Sequence, residues 1–203
     1  MYAEISVGEA IDKLSILEIK YERIADENKK IEIKKEIDAL QECNVYKHTH
    51  TFYYNLLMYV NTKIWDMTDT LQQMISTDNN YAAISHELFV FNQKRYRLKR
   101  VFNMLSCSNI KEQKNNRTKC CKVVVNDEAA FYKKMDEINY LILDYDFIYF
   151  ESPFISSIQA VFNIPVFNYN NKDLDETTCT NIDLLALKST DIKCPFQFKS
   201  SSV

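Results

Sequence analysis

Glycine is almost missing from this chain, with one residue, Gly8, in 203 against a usual share of about 7%. Phosphate-cradling loops of the Walker or dinucleotide type need several glycines, so neither can be written on this sequence. Proline is scarce too, at three residues, and no run of about 18 apolar residues occurs, which excludes a spanning helix. The opening, MYAEISVGEAIDKL, has no basic start followed by an apolar core, so no secretory signal is expected. Six cysteines (Cys43, Cys107, Cys120, Cys121, Cys179 and Cys194) are scattered without a CxxC pair. That spacing argues against a zinc or disulfide framework and for reduced thiols in the cytoplasm, with Cys120 and Cys121 as chance neighbours in a linker.

What is present is an ordinary foldable composition, 46% hydrophobic and 26% charged. The formal net charge of −3 conceals a segmental pattern. Residues 1–91 hold 9 basic and 15 acidic groups, residues 92–122 hold 10 and 1, and residues 123–203 hold 6 and 12. A basic band of this sort either attracts an anionic partner or pairs with the acidic flanks. It carries no recognisable nucleic-acid motif, so nucleic acid is not the expected partner.

Hydrophobic periodicity predicts a helical first half. Ser6-Val7-Gly8-Glu9 is a capping box that starts a helix running to about Ala25. Ile33, Ile37 and Leu40 mark a second helix, and a polar turn follows at Tyr46–Thr51. Leu57, Val60, Ile64, Leu71 and Ile75 form the stripe of a third helix. Ile84, Leu88, Phe91, Leu98, Phe102 and Leu105 form that of a fourth, from about Asn80. After the polar stretch Ser106–Lys119 the period changes, predicting strands at Lys122–Val125, Phe147–Glu151 and Pro165–Tyr169 with helices at Asp127–Leu141 and Pro153–Phe162 between them. The expected fold is α+β: an antiparallel helical bundle over residues 1–106, a linker over 107–121, and a small βαβαβ half with parallel strands over 122–203.

Polar residues on the apolar stripes are the candidate site. At 100° per residue Glu18 falls near the middle of the stripe Val7, Ala10, Ile11, Leu14, Leu17, Tyr21, and Arg95 in the middle of the stripe Phe91, Leu98, Phe102. Two ions aimed at a core are expected to pair with each other, because an isolated buried charge costs several kcal/mol. Asn61, Thr68, Asn92 and Lys99 lie on or beside the same stripes. Glu18, Asn61, Asn92, Arg95 and Lys99 therefore form either a structural polar network or a pocket for an anionic ligand, with Arg95 and Lys99 on the anion. Glu9, Asp12 and Lys13, near the start of the first helix, are expected in solvent. Asp66 and Asp69 on the third helix are spaced like carboxylate metal ligands but have no facing pair, and His48 and His50, an HxH, and the single His86 have no third ligand, so no metal is expected and no cofactor can be named. Trp65, with Tyr53, Tyr54 and Tyr59, is expected as core or interface mass. In the second half, Glu151, Ser152 and Pro153 stand at the carboxyl end of a strand, the edge where open α/β sheets bind ligands, although helix capping explains them equally well.

The run Gly8-Glu9, Asp12-Lys13, Ile16-Leu17-Glu18-Ile19-Lys20 and Glu22-Arg23-Ile24, with Trp65, Asp69, Asn92, Arg95, Lys99, Asn103, Ser108, Glu112 and Lys114, resembles an uncharacterised helical family known only as a domain of unknown function. The resemblance covers about residues 3–115. Thr68, Gln72 and Gln93 depart from its pattern, which has an acid, a basic residue and often Asp there. The family is met in bacterial surface-polysaccharide and glycosyltransferase gene neighbourhoods and in large DNA viruses, and richness in Asn, Ile and Lys fits an AT-rich, viral genome. The segment DYDFIYFESPFISSIQAVFNIPVFNY is similar to pieces of sugar-nucleotide-dependent glycosyltransferases. Together these imply an accessory or modifying protein of glycan biosynthesis that binds a sugar-phosphate or nucleotide-sugar. The alternative is a non-enzymatic helical module that forms homo-oligomers or binds a protein partner.

Overall fold

A computed structural model describes residues 4–110, 118–162, 164–169 and 179–187. Glu112, Lys114 and Cys194 lie outside them. The described residues fall into two compact units, the first within Met1–Ile110 and the second within Lys111–Asp191.

The first unit is helical: α1 (Val7–Arg23), α2 (Glu27–Ala39), α3 (Asn44–Thr49), α4 (Thr51–Gln72) and α5 (Tyr81–Leu105), with a 3-10 turn at Gln41–Cys43. The capping box starts α1 as expected, the Glu9 amide donating to Ser6 Oγ at 3.2 Å. Asp26 caps α2 by accepting from the amides of Asn28 and Lys29. The turn expected at Tyr46–Thr51 is instead largely helical, as α3.

Helix α1 is the central element, packed against α2, α4 and α5. It buries Gly8, Ala10, Ile11, Asp12, Leu14, Ser15, Leu17 and Ile19, an arc far wider than one stripe. Tyr21, placed on the stripe by periodicity, is 42% exposed. The two long helices are buried only at one end: α4 at Tyr54, Leu56, Leu57, Val60 and Asn61, and α5 at Leu98, Val101, Phe102 and Asn103. Their other ends form a two-helix arm whose tip leaves Ile75 and Phe89 well exposed.

Gly8 lets the first and last helices of the unit touch backbone to backbone. A Cβ built on it would lie 2.3 Å from the Lys99 carbonyl oxygen. The first turn of α1 is tied to the far end of α5 by hydrogen bonds as well: the Gly8 amide donates to Asn103 Oδ1 at 2.7 Å and the Val7 amide to Ser108 Oγ at 3.4 Å. With Glu9 on Ser6 Oγ, three of the amides that a helix start leaves open, those of Val7, Gly8 and Glu9, have acceptors, and the Ala10 amide makes the first bond of the helix itself, to the Ser6 carbonyl.

The end of α5 shows what a shortage of glycine costs. Cys107 has φ of 51° and the Ser108 amide returns to the Asn103 carbonyl, a Schellman-type stop in which glycine is the usual left-handed residue. An L side chain in that conformation costs about 1–2 kcal/mol. Cys107→Gly is therefore expected to stabilise the unit by about 1 kcal/mol after the flexibility of glycine in the unfolded chain is subtracted. Urea denaturation followed by circular dichroism measures it, and a lower midpoint for the variant would contradict the reading.

The second unit is a four-stranded parallel sheet in the order β3-β2-β1-β4, with β1 (Cys120–Val124), β2 (Phe147–Glu151), β3 (Phe167–Asn168) and β4 (Cys179–Asp183). Cys120 pairs in register with Phe147 on one side and Cys179 on the other. The connection from β1 to β2 carries α6 (Glu128–Lys133) and α7 (Met135–Tyr140), and that from β2 to β3 carries α8 (Ile155–Val161). The single helix expected over Asp127–Leu141 is thus broken at Lys134. Val123, Val125, Phe131, Ile138, Ile142, Ile148, Phe150 and Ile158 are fully buried, so the strands read as apolar runs, as a covered parallel sheet requires. β4 was not expected, because its CTNID sequence is polar and mostly exposed at the sheet edge. Among the described residues no helix is long and apolar enough to cross a membrane.

Candidate functional site

Asp12, expected in solvent, is 2% exposed and is the centre of the polar network. Its position follows from α1 being covered on several sides, which turns a residue just off the stripe into a core position. Arg95 on α5 clasps it through Nε, at 2.9 Å from Oδ1 and 3.0 Å from Oδ2, and through Nη2, at 2.5 Å from Oδ2. Asn61 on α4 donates from Nδ2 to Asp12 Oδ1 at 2.9 Å and to Ser15 Oγ at 2.7 Å. Ser15 Oγ in turn donates to the Asp12 carbonyl at 2.7 Å. Three helices thus meet on one carboxylate.

The pairing of Glu18 with Arg95 is not what forms. Glu18 accepts from Lys47 Nζ at 2.6 Å and from the Tyr54 hydroxyl at 2.8 Å, because the first turn of α4, with α3 before it, packs against that side of α1. Lys99 instead meets Glu9 at 2.6 Å, one turn along α1 from Asp12. Asn92 donates to the Leu88 carbonyl of its own helix at 2.9 Å. Of the five candidates, Asn61 and Arg95 converge, joined by Asp12, while Glu18, Asn92 and Lys99 are engaged elsewhere. Each cation expected to receive an anion already has a carboxylate on it.

Tyr54 is 2% exposed, and burial, followed by the charge and hydrogen bond of Glu18, pushes its phenol far above the ordinary value of 10.0. Above about pH 10 the unfolded chain releases this proton while the folded chain holds it, so stability falls as pH rises. Tyr54→Phe should make that alkaline decline shallower. Urea midpoints of the two proteins across the alkaline range test this, and equal slopes would refute it.

Beside the Asp12 network, where the arm of α4 and α5 departs from the bundle, lies a cavity of about 300 Å³. One face of α4 supplies Asn61, Ile64, Trp65, Thr68, Asp69 and Gln72, and the lining is completed by Ile16 of α1 and Arg95. The spacing of the α4 residues by three and four is that of a single helix face. Trp65, the only tryptophan in the chain, is half-buried there, with the Arg23 guanidinium 6.0 Å from its ring centroid and Arg23 itself paired with Asp66 at 2.5 Å. Asn61 is 4% exposed and its Oδ1 has no hydrogen-bond partner.

Residues 1–133 match a family of unknown function, DUF6165. The chain belongs to this family. The match takes in the whole helical unit up to Ile110 and continues to the end of α6. No curated protein and no solved structure matches the chain. Within this member of DUF6165, seven of the residues that carry the sequence resemblance lie along one seam: Gly8 on Asn103, Glu9 on Lys99, Asp12 on Arg95, and Ser108 on the Val7 amide. Trp65 and Asp69 line the cavity next to it.

The second-unit candidates are simpler. Glu151 pairs with Lys122 across β1 and β2 at 2.8 Å, and Ser152 Oγ accepts from the Phe154 amide at 2.9 Å. Both stand at the carboxyl end of β2, one strand away from the junction of β1 and β4 where the strand order reverses. Among the described residues no cluster of three His, Cys, Asp or Glu side chains could hold a metal ion.

Proposed function

We propose that this protein is an accessory or modifying component of glycan biosynthesis whose helical unit binds a sugar-bearing ligand in the cavity walled by α4. The observation that carries the reading is a cleft with an apolar and aromatic wall, Ile16, Ile64 and Trp65, edged by Thr68, Asp69, Gln72 and Arg95. A mostly apolar cleft with a few fixed polar groups is the usual form of a small-molecule site. The glycan context comes from the resemblance of the Gly8–Ile24 signature to proteins of polysaccharide gene neighbourhoods. A ligand present at a hundredfold excess over its dissociation constant adds about 2.7 kcal/mol to stability. A thermal-shift panel of sugars, sugar phosphates and nucleotide sugars, with mass spectrometry of small molecules that copurify, tests the reading. No shift and no copurifying compound would oppose it.

A second reading, a helical interaction module, is favoured by one observation: Val45, Ile75 and Phe89 are each more than half exposed. Size-exclusion chromatography with light scattering separates the two. A stable oligomer that ignores every ligand supports the module, and a ligand-responsive monomer supports the pocket.

A further inference from the structure

We infer that this chain forms a two-fold symmetric dimer in which the α5 helices of two copies cross antiparallel along the two-helix arm, each Glu87 seated beside the partner's Lys94. The inference rests on the second reading above, an interaction module, and names the partner, a second copy, and the face it covers. None of the residues it uses lines the cavity, so the ligand reading stands or falls separately.

The arm has no interior of its own. Between Asn61 and Leu98 no residue of α4 or α5 is buried. Leu71, Ile84 and Leu88 on the apolar stripes are only half-buried, and Ile75 and Phe89 are 67% and 60% exposed. Two helices alone cannot enclose an apolar stripe, and a second pair that completes a four-helix bundle is the usual cover. Charge selects the second pair. From Ile64 to Gln93 the chain carries four acids, Asp66, Asp69, Asp78 and Glu87, and no lysine or arginine, whereas Lys94 to Arg100 holds five basic residues and no acid. The arm is acidic and its root basic. Antiparallel pairing of two arms sets each acidic stretch along the other's basic one, and a two-fold axis makes such a surface complementary to itself. The same acids repel an anionic lipid surface.

Helical spacing fixes the register. Glu87, Val90, Phe91 and Lys94 follow one another within three or four residues and share one face of α5. Glu87 is exposed, and the positions three and four away on its own helix are Ala83, Ile84, Val90 and Phe91, none of them a cation. Lys94 is two turns off, about 10 Å along the axis, too far to pair with Glu87 within one helix. Lys94 belongs instead to a cationic aromatic patch. The Tyr59 and Phe91 rings are 6.3 Å apart, with Lys63 Nζ 5.8 Å from the first centroid and Lys94 Nζ 5.5 Å from the second. With the two-fold axis between Val90 and Phe91, the paired helices exchange positions 87 and 94. Each Glu87 carboxylate then meets the lysine-covered rings of the other copy, twice by symmetry, and Val90 and Phe91 close the centre.

Sedimentation velocity of the full-length protein over a dilution series, at low and at high sodium chloride, measures the association. A dimer that salt weakens is expected. Glu87→Lys and Lys94→Glu each place two like-charge contacts across the axis and should raise the dissociation constant about tenfold or more. The double variant, Glu87→Lys with Lys94→Glu, rebuilds both contacts with their signs exchanged and should recover the parent's affinity. An equimolar mixture of the two single variants should form a heterodimer. Circular dichroism checks that the helices are kept, and Glu87→Lys, at an exposed position, reads the contact even if Lys94→Glu fails to fold. A dimer indifferent to every variant, or a double variant no tighter than the singles, overturns the antiparallel α5 contact and leaves the interaction module standing. A monomer at every concentration overturns the second copy as partner and, with it, the homo-oligomeric form of that reading.

Discussion

Alanine at position 8 is expected to destabilise the helical unit severely, although alanine is the better helix former by about 1 kcal/mol. The added methyl group would lie 2.3 Å from the Lys99 oxygen, 2.9 Å from the Lys99 carbonyl carbon and 2.8 Å from Asn103 Oδ1. Two of those atoms are backbone, so no side-chain rotation relieves the clash and the helices must separate. Separation strains the bonds beside it, Gly8 to Asn103, Glu9 to Lys99 and Asp12 to Arg95. Overpacking a tight contact costs about 1–3 kcal/mol and sometimes more, and here the losses along the seam add to it. A net loss of about 2 kcal/mol or more is expected for Gly8→Ala, read from urea denaturation. An unchanged midpoint would show that α1 and α5 are not in backbone contact.

The second large effect is expected at Asp12. Replacing it by alanine leaves the Arg95 guanidinium and the Asn61 amide beside a gap in the core, and removal of one member of a buried pair costs about 3–5 kcal/mol. Arg95→Met alone should cost at least as much, because it leaves the Asp12 carboxylate, 2% exposed, without its counter-ion, whereas Asp12→Ala leaves an Arg95 side chain that is 27% exposed and keeps some access to water. Combining Asp12→Leu with Arg95→Met removes both charges and fills the space, so the double variant should be more stable than the sum of the singles predicts. A coupling energy near zero in that double-mutant cycle would sink the pairing.

The helix starts, the bundle and the parallel strands were legible because they rest on local signals: the Ser6 cap, the apolar stripes and the change of period after Ser106. Arg95 and Asn61 were legible as polar residues on apolar stripes. Asp12 was not, because a stripe assumes one buried face, whereas α1 is covered on several sides. The relevant signal was the set Gly8, Asp12 and Ser15, spaced by four and three and followed four residues on by Ile19: small or polar residues, then an apolar one, on a second helix face, all buried. Glu18 was misread for the same reason. The apolar pattern marks its side of α1 as inside, but the neighbour that arrives there brings Lys47 and Tyr54. β4 was invisible because an edge strand with one sheet neighbour has little need of apolar residues. The cavity was invisible because an empty volume is a property of packing, and Trp65 and Thr68 are as good at filling a core as at lining a gap.

The connection of α1 to α5 has a consequence for how the chain is made. Synthesis delivers α1 first, yet the partners of Asp12 follow 49 residues later at Asn61 and 83 residues later at Arg95, and the acceptor for the Gly8 amide comes 95 residues later at Asn103. Until the last turns of α5 leave the ribosome, the first helix carries the Asp12 charge without its counter-ion and a face that α2 and α4 do not cover. Local pairs such as α4 with α5 can form early, but the unit closes only when its two ends meet. Its cooperative folding is therefore tied to the final residues of the helical segment, and a nascent chain halted before Arg95 remains a ready client for chaperones.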